Sequence, residues 1–152
     1  YLLFVFLLYK YFGWKSTLII VLSTGVAVGL ADLSAKYLFK EMFERFRPSQ
    51  NFEIKGQLHY VNNYHGGMYG FVSSHAANMF SIAMLLGLYL NRKIKFSLYF
   101  LLIWATLIGY SRVYLGVHYP SDVLCGALLG MSIAFLMYKV ISKVKLLNFS
   151  IK

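Results

Sequence analysis

The sequence predicts an all-α fold, a polytopic bundle of transmembrane helices, and three observations support it: many apolar residues, few charged ones, and long apolar segments. Of the 152 residues, 59% are hydrophobic and only 13% are charged. A soluble domain has about 45–50% apolar and about 25% charged residues, so this chain has too little charge to cover a water-exposed surface. Its length predicts one domain, residues 1–152.

The apolar segments predict about five membrane spans. A spanning helix needs about 20 mainly apolar residues. One partial segment and four fuller ones occur: Tyr1–Tyr9, Thr17–Phe39, Gly70–Leu90, Phe96–Ser111 with its neighbours, and Tyr119–Tyr138. Because the chain begins with Tyr1 inside an apolar segment, we expect further residues upstream.

Two pairs of glycines predict close helix packing. Gly25 and Gly29 lie on one predicted helix, and Gly126 and Gly130 lie on another, four residues apart in each pair. This spacing puts both glycines on one helix face, where a neighbouring backbone can approach closely.

The charged residues separate into two groups if successive helices alternate in direction. One side is entirely basic, with Lys10, Lys15, Arg92, Lys93, Lys95, Lys139, Lys143, Lys145 and Lys152, whereas the other mixes basic and acidic residues. The positive-inside rule makes the basic side cytoplasmic, so the loop at about 40–70 and the segment 112–118 face outward. Because the basic residues gather at segment ends, nucleic acid is not an expected partner despite the net charge of +10.

The first polar cluster runs from Lys40 to Pro48. If the helix continues to Arg47, Lys40 and Arg47 share a face about two turns, or roughly 10 Å, apart. Pro48 would then end the helix. Two long cationic side chains at that spacing can converge on one small anion. The alternative is that both side chains extend to the membrane surface, where their charges stay in water.

The second cluster, Val72–His75, precedes an apolar helix. A serine here can cap the helix, and the free amides and dipole of a helix N-terminus can bind an anion. His75 would lie in the first turn, near that anion. Ordinary capping is the alternative explanation of this cluster.

The third cluster runs from Ser111 to Asp122. Pro120 suits the first position of a helix and Asp122 its first turn. His118 precedes Asp122 by four residues, so the carboxylate can hold one ring nitrogen and leave the other free to attack. Charged groups at a membrane boundary are costly unless they pair with one another or have a function. The alternative to a catalytic role for this cluster is therefore structural pairing of its charges.

Together, Lys-x6-Arg-Pro, Ser-x-His and Ser-Arg-x5-His-x3-Asp resemble the three signatures of the type-2 phosphatidic acid phosphatase superfamily. The order matches, as do the internal spacings of the first and third, and the resemblance covers about Lys40 to Asp122. The second signature usually reads Pro-Ser-Gly-His, and here Val72 and Ser74 replace its proline and glycine. Membrane members of the family typically have six spans, so one N-terminal helix is expected to be absent.

The resemblance implies a role for each site residue. Lys40, Arg47 and Arg112 would bind phosphate oxygens, with Ser73 and the amide of Ser74 completing the cradle. His118, oriented by Asp122, would attack phosphorus and form a phosphohistidine, and His75 would protonate the departing oxygen. Neither a metal ion nor another cofactor is expected, because three cations are available and no carboxylate-rich cluster is evident. His59 and His65, in the outward loop, are interpreted as surface or hydrogen-bonding residues.

The implied activity is hydrolysis of a lipid-linked phosphate or diphosphate at the outer edge of a bacterial inner membrane, facing the periplasm. Undecaprenyl diphosphate ranks first among substrates, followed by lipid A phosphate, then phosphatidylglycerol phosphate or phosphatidic acid. The alternatives from other classes are a vanadate-dependent haloperoxidase and a non-catalytic lipid- or anion-binding membrane protein or transporter. The expected partners are the lipid substrate and the bilayer.

Overall fold

The computed structural model describes residues 2–58 and 60–143, and within them the all-α prediction is confirmed. Five α-helices occur, together with a π-helical segment and three short 3-10 turns. The α-helices are α1 (Leu2–Leu33), α2 (Glu41–Phe43), α3 (Ser74–Leu90), α4 (Ser97–Tyr114) and α5 (Pro120–Ser142). The π-helical segment, Ser34–Lys40, joins α1 to α2.

Gly13 divides α1 into two parts. Its φ of 74° lies in the left-handed region, which glycine adopts readily because it has no Cβ. Val5 and Val21, eight residues before and after Gly13, line the same apolar pockets. The two parts therefore lie alongside each other, as expected for the separate apolar segments predicted around residues 1–9 and 17–39.

Helix α3 lies at the centre of the bundle and packs against α1, α4 and α5, whereas α4 and α5 contact each other much less. Small residues on α3, including Ala76, Ala77 and Ala83, are fully buried and let the neighbouring helices approach. Gly126 and Gly130 of α5 lie directly against the α3 backbone at Ser73 and Ala77. The close packing predicted for this pair is confirmed.

The other glycine pair behaves differently. A Cβ built on Gly25 or Gly29 meets no atom within 4 Å among the described residues. The prediction that these glycines pack against a neighbouring helix was therefore wrong for the part of the chain that the structure describes. Spacing alone identifies a smooth helix face but does not determine whether another helix covers it.

The outer faces of the bundle are apolar. Large exposed apolar side chains recur at helical spacing, including Leu18, Leu22, Val26 and Leu30 on α1, Ile103 and Leu107 on α4, and Leu124, Leu128 and Leu136 on α5. Soluble monomers rarely expose apolar surface of this extent. Two described helical stretches are long and apolar enough to cross a membrane: Leu2–Phe43, with 42 residues, which combines α1, the π-helical segment and α2, and Pro120–Ser142, with 23. The count of five spans stays a prediction.

The helix before the first polar cluster ends earlier than predicted. Glu44 has a left-handed backbone with φ of 45°, and α2 ends at Phe43 rather than continuing to Arg47. Pro48 likewise does not end this helix, because it begins a 3-10 turn, Pro48–Gln50. The connecting loop therefore runs from Glu44 to Ser73 instead of about 40–70, and an isolated antiparallel bridge between Phe46 and Tyr69 closes its base.

Candidate active site

His118 and Asp122 meet at the start of α5. The Asp122 carboxylate is fully buried, and its Oδ2 accepts a hydrogen bond from the backbone N–H of Tyr119 at 2.9 Å, which caps the helix. His118 Nδ1 lies 3.5 Å from the same oxygen, slightly longer than an ordinary hydrogen bond. The sequence predicted both the helix start at Pro120 and the approach of this carboxylate to the ring.

The neighbours of His118 determine which ring nitrogen carries the proton. Arg47 Nη1 lies 3.2 Å from His118 Nε2, and a guanidinium can only donate, so Nε2 must accept. The proton of the neutral ring is then on Nδ1, facing Asp122. His118 is only 3% exposed, and this burial lowers its pKa although the contact with Asp122 opposes the effect. At neutral pH the ring is therefore neutral, with its lone pair on Nε2.

Arg47 is held beside this nitrogen by backbone groups. Its Nε donates to the carbonyl of Tyr69 at 3.1 Å, and Nη1 also donates to the carbonyl of Val117 at 3.3 Å. Burial lowers the pKa of Arg47, but a guanidinium stays cationic at neutral pH. Gly66 has a left-handed backbone with φ of 68°, which glycine adopts readily, and a Cβ built on it would lie 2.9 Å from Arg47 Nη1, so glycine suits the close approach of this loop to Arg47.

Lys40 reaches the start of α3. Its Nζ donates to Ser74 Oγ at 2.7 Å, linking the first and second polar clusters. Lys40 and Arg47 also lie close enough for their charges to interact. The two cations thus converge as predicted, but the turn at Glu44 and the bridge to Tyr69 bring them together, not a shared helix face.

His75 lies close enough to the other site residues for their charges to act on it. It lies in the first turn of α3, with its side chain exposed, and Arg112, His118, Lys40 and Arg47 all exert electrostatic effects on it. Arg112 lies in the last turn of α4, with Nε 3.3 Å from Ser111 Oγ. The structure therefore gathers all three cations and both imidazoles at one end of the bundle.

Ser73 is the N-cap of α3, as the sequence predicted. It is fully buried, and its Oγ accepts from the backbone N–H of Ala76 at 3.4 Å. Its own N–H donates to the backbone carbonyl of Asp122 at 3.0 Å. This bond joins the starts of α3 and α5, while a phosphate-binding role for Ser73 and Ser74 stays a prediction.

Sequence reasoning missed Arg45. Its Nη1 donates to Asp122 Oδ1 at 2.8 Å and to Ser121 Oγ at 2.9 Å. Its guanidinium also lies 4.1 Å from the centroid of the Tyr119 ring. The available signal was indirect: a carboxylate that becomes buried beside a neutral histidine needs a cation, and several basic residues of the first cluster could have supplied it.

The loop between Glu44 and Ser73 has its own packing, which involves one of its two histidines. The His65 ring packs against the Tyr60 ring at 4.2 Å between centroids, with the two planes tilted by 45°, and the His65 backbone carbonyl accepts from Ser49 Oγ at 2.6 Å. His59 lies outside the described residues. In residues 2–58 and 60–143, no group of three or more His, Cys, Asp or Glu side chains is arranged to hold a metal ion.

The geometry agrees with a comparison against protein families. A family model described as the PAP2 superfamily matches residues 16–146, which include all three polar clusters. The chain belongs to the PAP2 superfamily. The resemblance first noted in the three signatures is thereby confirmed, whereas the roles of individual residues stay predictions.

Similar proteins of this PAP2 superfamily include two curated lipid A 4'-phosphatases. The chain is 36% identical over 140 residues to the one from Bacteroides thetaiotaomicron, covering 91% of this chain and 61% of that protein. It is 34% identical over 139 residues to the one from Porphyromonas gingivalis, covering 90% of this chain and 57% of that protein. The chain thus spans about three fifths of the length of these relatives.

A solved structure is also similar to this PAP2 chain. It is the crystal structure of a transmembrane PAP2-type phosphatidylglycerolphosphate phosphatase from Bacillus subtilis, with a TM-score of 0.69 and 29% sequence identity. The match covers 94% of this chain and 69% of the other. At this level of identity the two chains share the fold and its family.

Proposed function

We propose that this protein is an integral membrane phosphatase that hydrolyses a lipid-linked phosphate through a phosphohistidine on His118. The observation that carries the proposal is the environment of His118: a buried, neutral ring with its Nε2 lone pair beside the Arg47 guanidinium and its Nδ1 beside Asp122. A nucleophile oriented by a third group is the arrangement typical of covalent catalysis. A protein that only bound anions would not need it.

The first chemical step is transfer of the phosphoryl group to the enzyme. Lys40, Arg47 and Arg112 bind the phosphate oxygens and stabilise the charge that develops in the transition state. His118 Nε2 attacks phosphorus, the bond from phosphorus to the lipid oxygen breaks, and His75 donates a proton to that oxygen. Asp122 stabilises the positive charge that forms on the His118 ring.

The second step returns the enzyme to its starting state. His75, now neutral, accepts a proton from a water molecule that attacks the phosphohistidine. The bond between phosphorus and Nε2 breaks, inorganic phosphate leaves, and His75 is again protonated. His75 acts as acid in one step and as base in the next, as microscopic reversibility requires for a single group on the leaving-group side.

Among lipid phosphates, we rank a lipid A phosphate first. The two curated relatives are named lipid A 4'-phosphatases, and they align with about nine tenths of this chain. This evidence favours the lipid A alternative over undecaprenyl diphosphate, which the sequence motifs alone ranked first. Undecaprenyl diphosphate and phosphatidylglycerol phosphate remain the substrates to compare with it.

We further propose that the chain crosses the membrane about five times, with the site at the periplasmic edge of a bacterial inner membrane. The exposed apolar faces of α1, α4 and α5 support embedding in hydrocarbon. The helix ends on the side opposite the site carry basic residues and no acidic ones, and the positive-inside rule assigns such a side to the cytoplasm. A phosphate at the level of the lipid headgroups then lies at the depth of the site while the lipid chains stay in the bilayer.

The direct test is phosphate release by the detergent-purified protein, with EDTA present, from lipid A, undecaprenyl diphosphate, phosphatidylglycerol phosphate and phosphatidic acid. We expect release from at least one lipid, fastest from lipid A, and a loss of about 10³-fold or more in His118→Ala. His65→Ala is the matched control, because it removes an imidazole from the loop without changing the site. We also expect labelled phosphate to be trapped on wild-type protein but not on His118→Ala.

The outcomes separate the competing functions. Equal rates for wild type and His118→Ala would refute the phosphohistidine route. Release that requires a divalent metal would contradict the proposal that side-chain cations stabilise the transition state. No release from any of these lipids would favour a binding protein or transporter. Halide oxidation that depends on added vanadate would favour the haloperoxidase alternative.

A further inference from the structure

We propose that Arg45 is a positioning residue for the phosphatase reaction, which holds Asp122 in the orientation that His118 requires. The inference rests on the proposed function, because it assigns Arg45 a part in the activation of the same nucleophile. Arg45 belongs to the segment that carries Lys40 and Arg47 but contacts a different group.

The contact between Arg45 and Asp122 is short and involves a buried charge. Arg45 Nη1 lies 2.8 Å from Asp122 Oδ1, and the two side chains are 41% and 0% exposed respectively. The same nitrogen donates to Ser121 Oγ at 2.9 Å, and the guanidinium packs against the Tyr119 ring at 4.1 Å. A carboxylate without solvent contact is costly unless a cation or several donors compensate it, and Arg45 is that cation.

The two oxygens of Asp122 have different partners. Oδ1 faces Arg45, whereas Oδ2 accepts from the Tyr119 backbone at 2.9 Å and faces His118 Nδ1 at 3.5 Å. Arg45 and Tyr119 therefore fix the carboxylate plane from two directions. With Arg45 removed, the donors that remain to this carboxylate among the described residues are the Tyr119 backbone N–H and the more distant His118 Nδ1, so the carboxylate can rotate away from its present orientation.

Arg45 does not belong to the group that surrounds the phosphate position. The cations whose charges act on His75 are Lys40, Arg47 and Arg112. Arg45 instead binds the carboxylate oxygen on the side away from the His118 ring. Its backbone carbonyl accepts from Gly70 N–H at 2.9 Å, which ties its position to the returning end of the loop.

A double-mutant cycle tests the inference, using wild type, Arg45→Gln, Asp122→Asn and the double variant. We expect Arg45→Gln to lower kcat by about tenfold or more while KM changes by less than about twofold, since a coupled pair typically shows effects of this size. In the Asp122→Asn background, Arg45→Gln should cause no further loss. Arg45→Lys, which retains the charge, should recover part of the activity.

Lys55→Gln is the matched control for loss of one positive charge near the site. Lys55 is exposed and packs over the Phe52 ring in the same outward loop. We expect wild-type kcat and KM from this variant. Thermal unfolding in detergent, followed by circular dichroism, establishes that each variant is folded before its rate is interpreted.

Several results would overturn the inference. A raised KM with unchanged kcat in Arg45→Gln would mean that Arg45 contacts the substrate, and additive losses in the cycle would mean that it acts independently of Asp122. If Arg45→Gln does not fold, the double variant carries the test, because removing both charges leaves no unpaired buried ion. The kcat of the double variant must then equal that of Asp122→Asn. If the wild type is active but the cycle shows no coupling between Arg45 and Asp122, only this inference is refuted, whereas an inactive wild type refutes the proposed function as well.

Discussion

Gly126 couples the packing of the bundle to the geometry of the site, and substitution by alanine tests this coupling. Gly126 lies one turn after Asp122 on α5 and faces the N-terminus of α3. A Cβ at this position would meet the Ser73 carbonyl oxygen at 2.5 Å, the Ala76 Cβ at 3.2 Å and the Ala77 backbone nitrogen at 3.4 Å. None of these atoms belongs to a flexible side-chain end.

The size of the effect follows from these distances. A carbon and a carbonyl oxygen ordinarily approach to about 3.3–3.6 Å, so α5 and α3 must separate by roughly 1 Å at this point. The Ser73 carbonyl cannot turn aside freely, because it accepts the Ala77 N–H at 2.9 Å. Overpacking of this kind costs about 1–3 kcal/mol of stability. The same displacement separates His75 on α3 from His118 and Asp122, and a 1 Å misplacement can cost about 10²-fold in rate.

The assay combines thermal unfolding in detergent with kcat for phosphate release. We expect Gly126→Ala to lower both, and Gly25→Ala to serve as the control because its Cβ meets nothing within 4 Å. The control should be neutral or slightly stabilising, since alanine favours a helix over glycine by about 0.5–1 kcal/mol. If Gly126→Ala unfolds at the same temperature as Gly25→Ala and retains wild-type kcat, the proposed link between this helix contact and the site is refuted.

Two further predictions concern pH and orientation. Because burial holds the pKa of His118 below 6.5 in the folded protein, kcat/KM should fall in acid as Nε2 becomes protonated, and it should fall again at higher pH as His75, the acid of the first step, loses its proton. The contribution of His118 to stability should be full above about pH 6.5 and decline toward acid, where the unfolded chain binds the proton more readily. A kcat/KM that shows no loss on the acid side would contradict the role of His118 as the nucleophile. The proposed orientation places Glu53 outside the cytoplasm and Lys93 inside it. In a Cys125→Ala background, Glu53→Cys should therefore react with an impermeant thiol reagent in intact cells, whereas Lys93→Cys should react only after lysis. The reverse pattern would contradict this orientation.

Much of this protein follows from interactions between residues that are close in the sequence. Periodic apolar segments predict the main helices, Ser73 caps α3, and Pro120 and Asp122 begin α5. The four-residue spacing from His118 to Asp122 brings ring and carboxylate together at the start of that helix. Each of these features depends on backbone geometry within one or two turns, which the sequence specifies directly.

Only the tertiary structure decided how the first polar cluster joins the site. The helix ends at Phe43, so Arg47 depends on its N–H bond to the Met68 carbonyl at 3.0 Å, across a loop whose path the sequence does not reveal. The pairing of Arg45 with Asp122 depends on the same loop. Helical periodicity depends on neighbouring residues and can be recognised in the sequence. The contacts that residues make across a long loop depend instead on the packing of the whole bundle. For this reason the sequence predicted the cations of the site but not which of them pairs with the buried carboxylate.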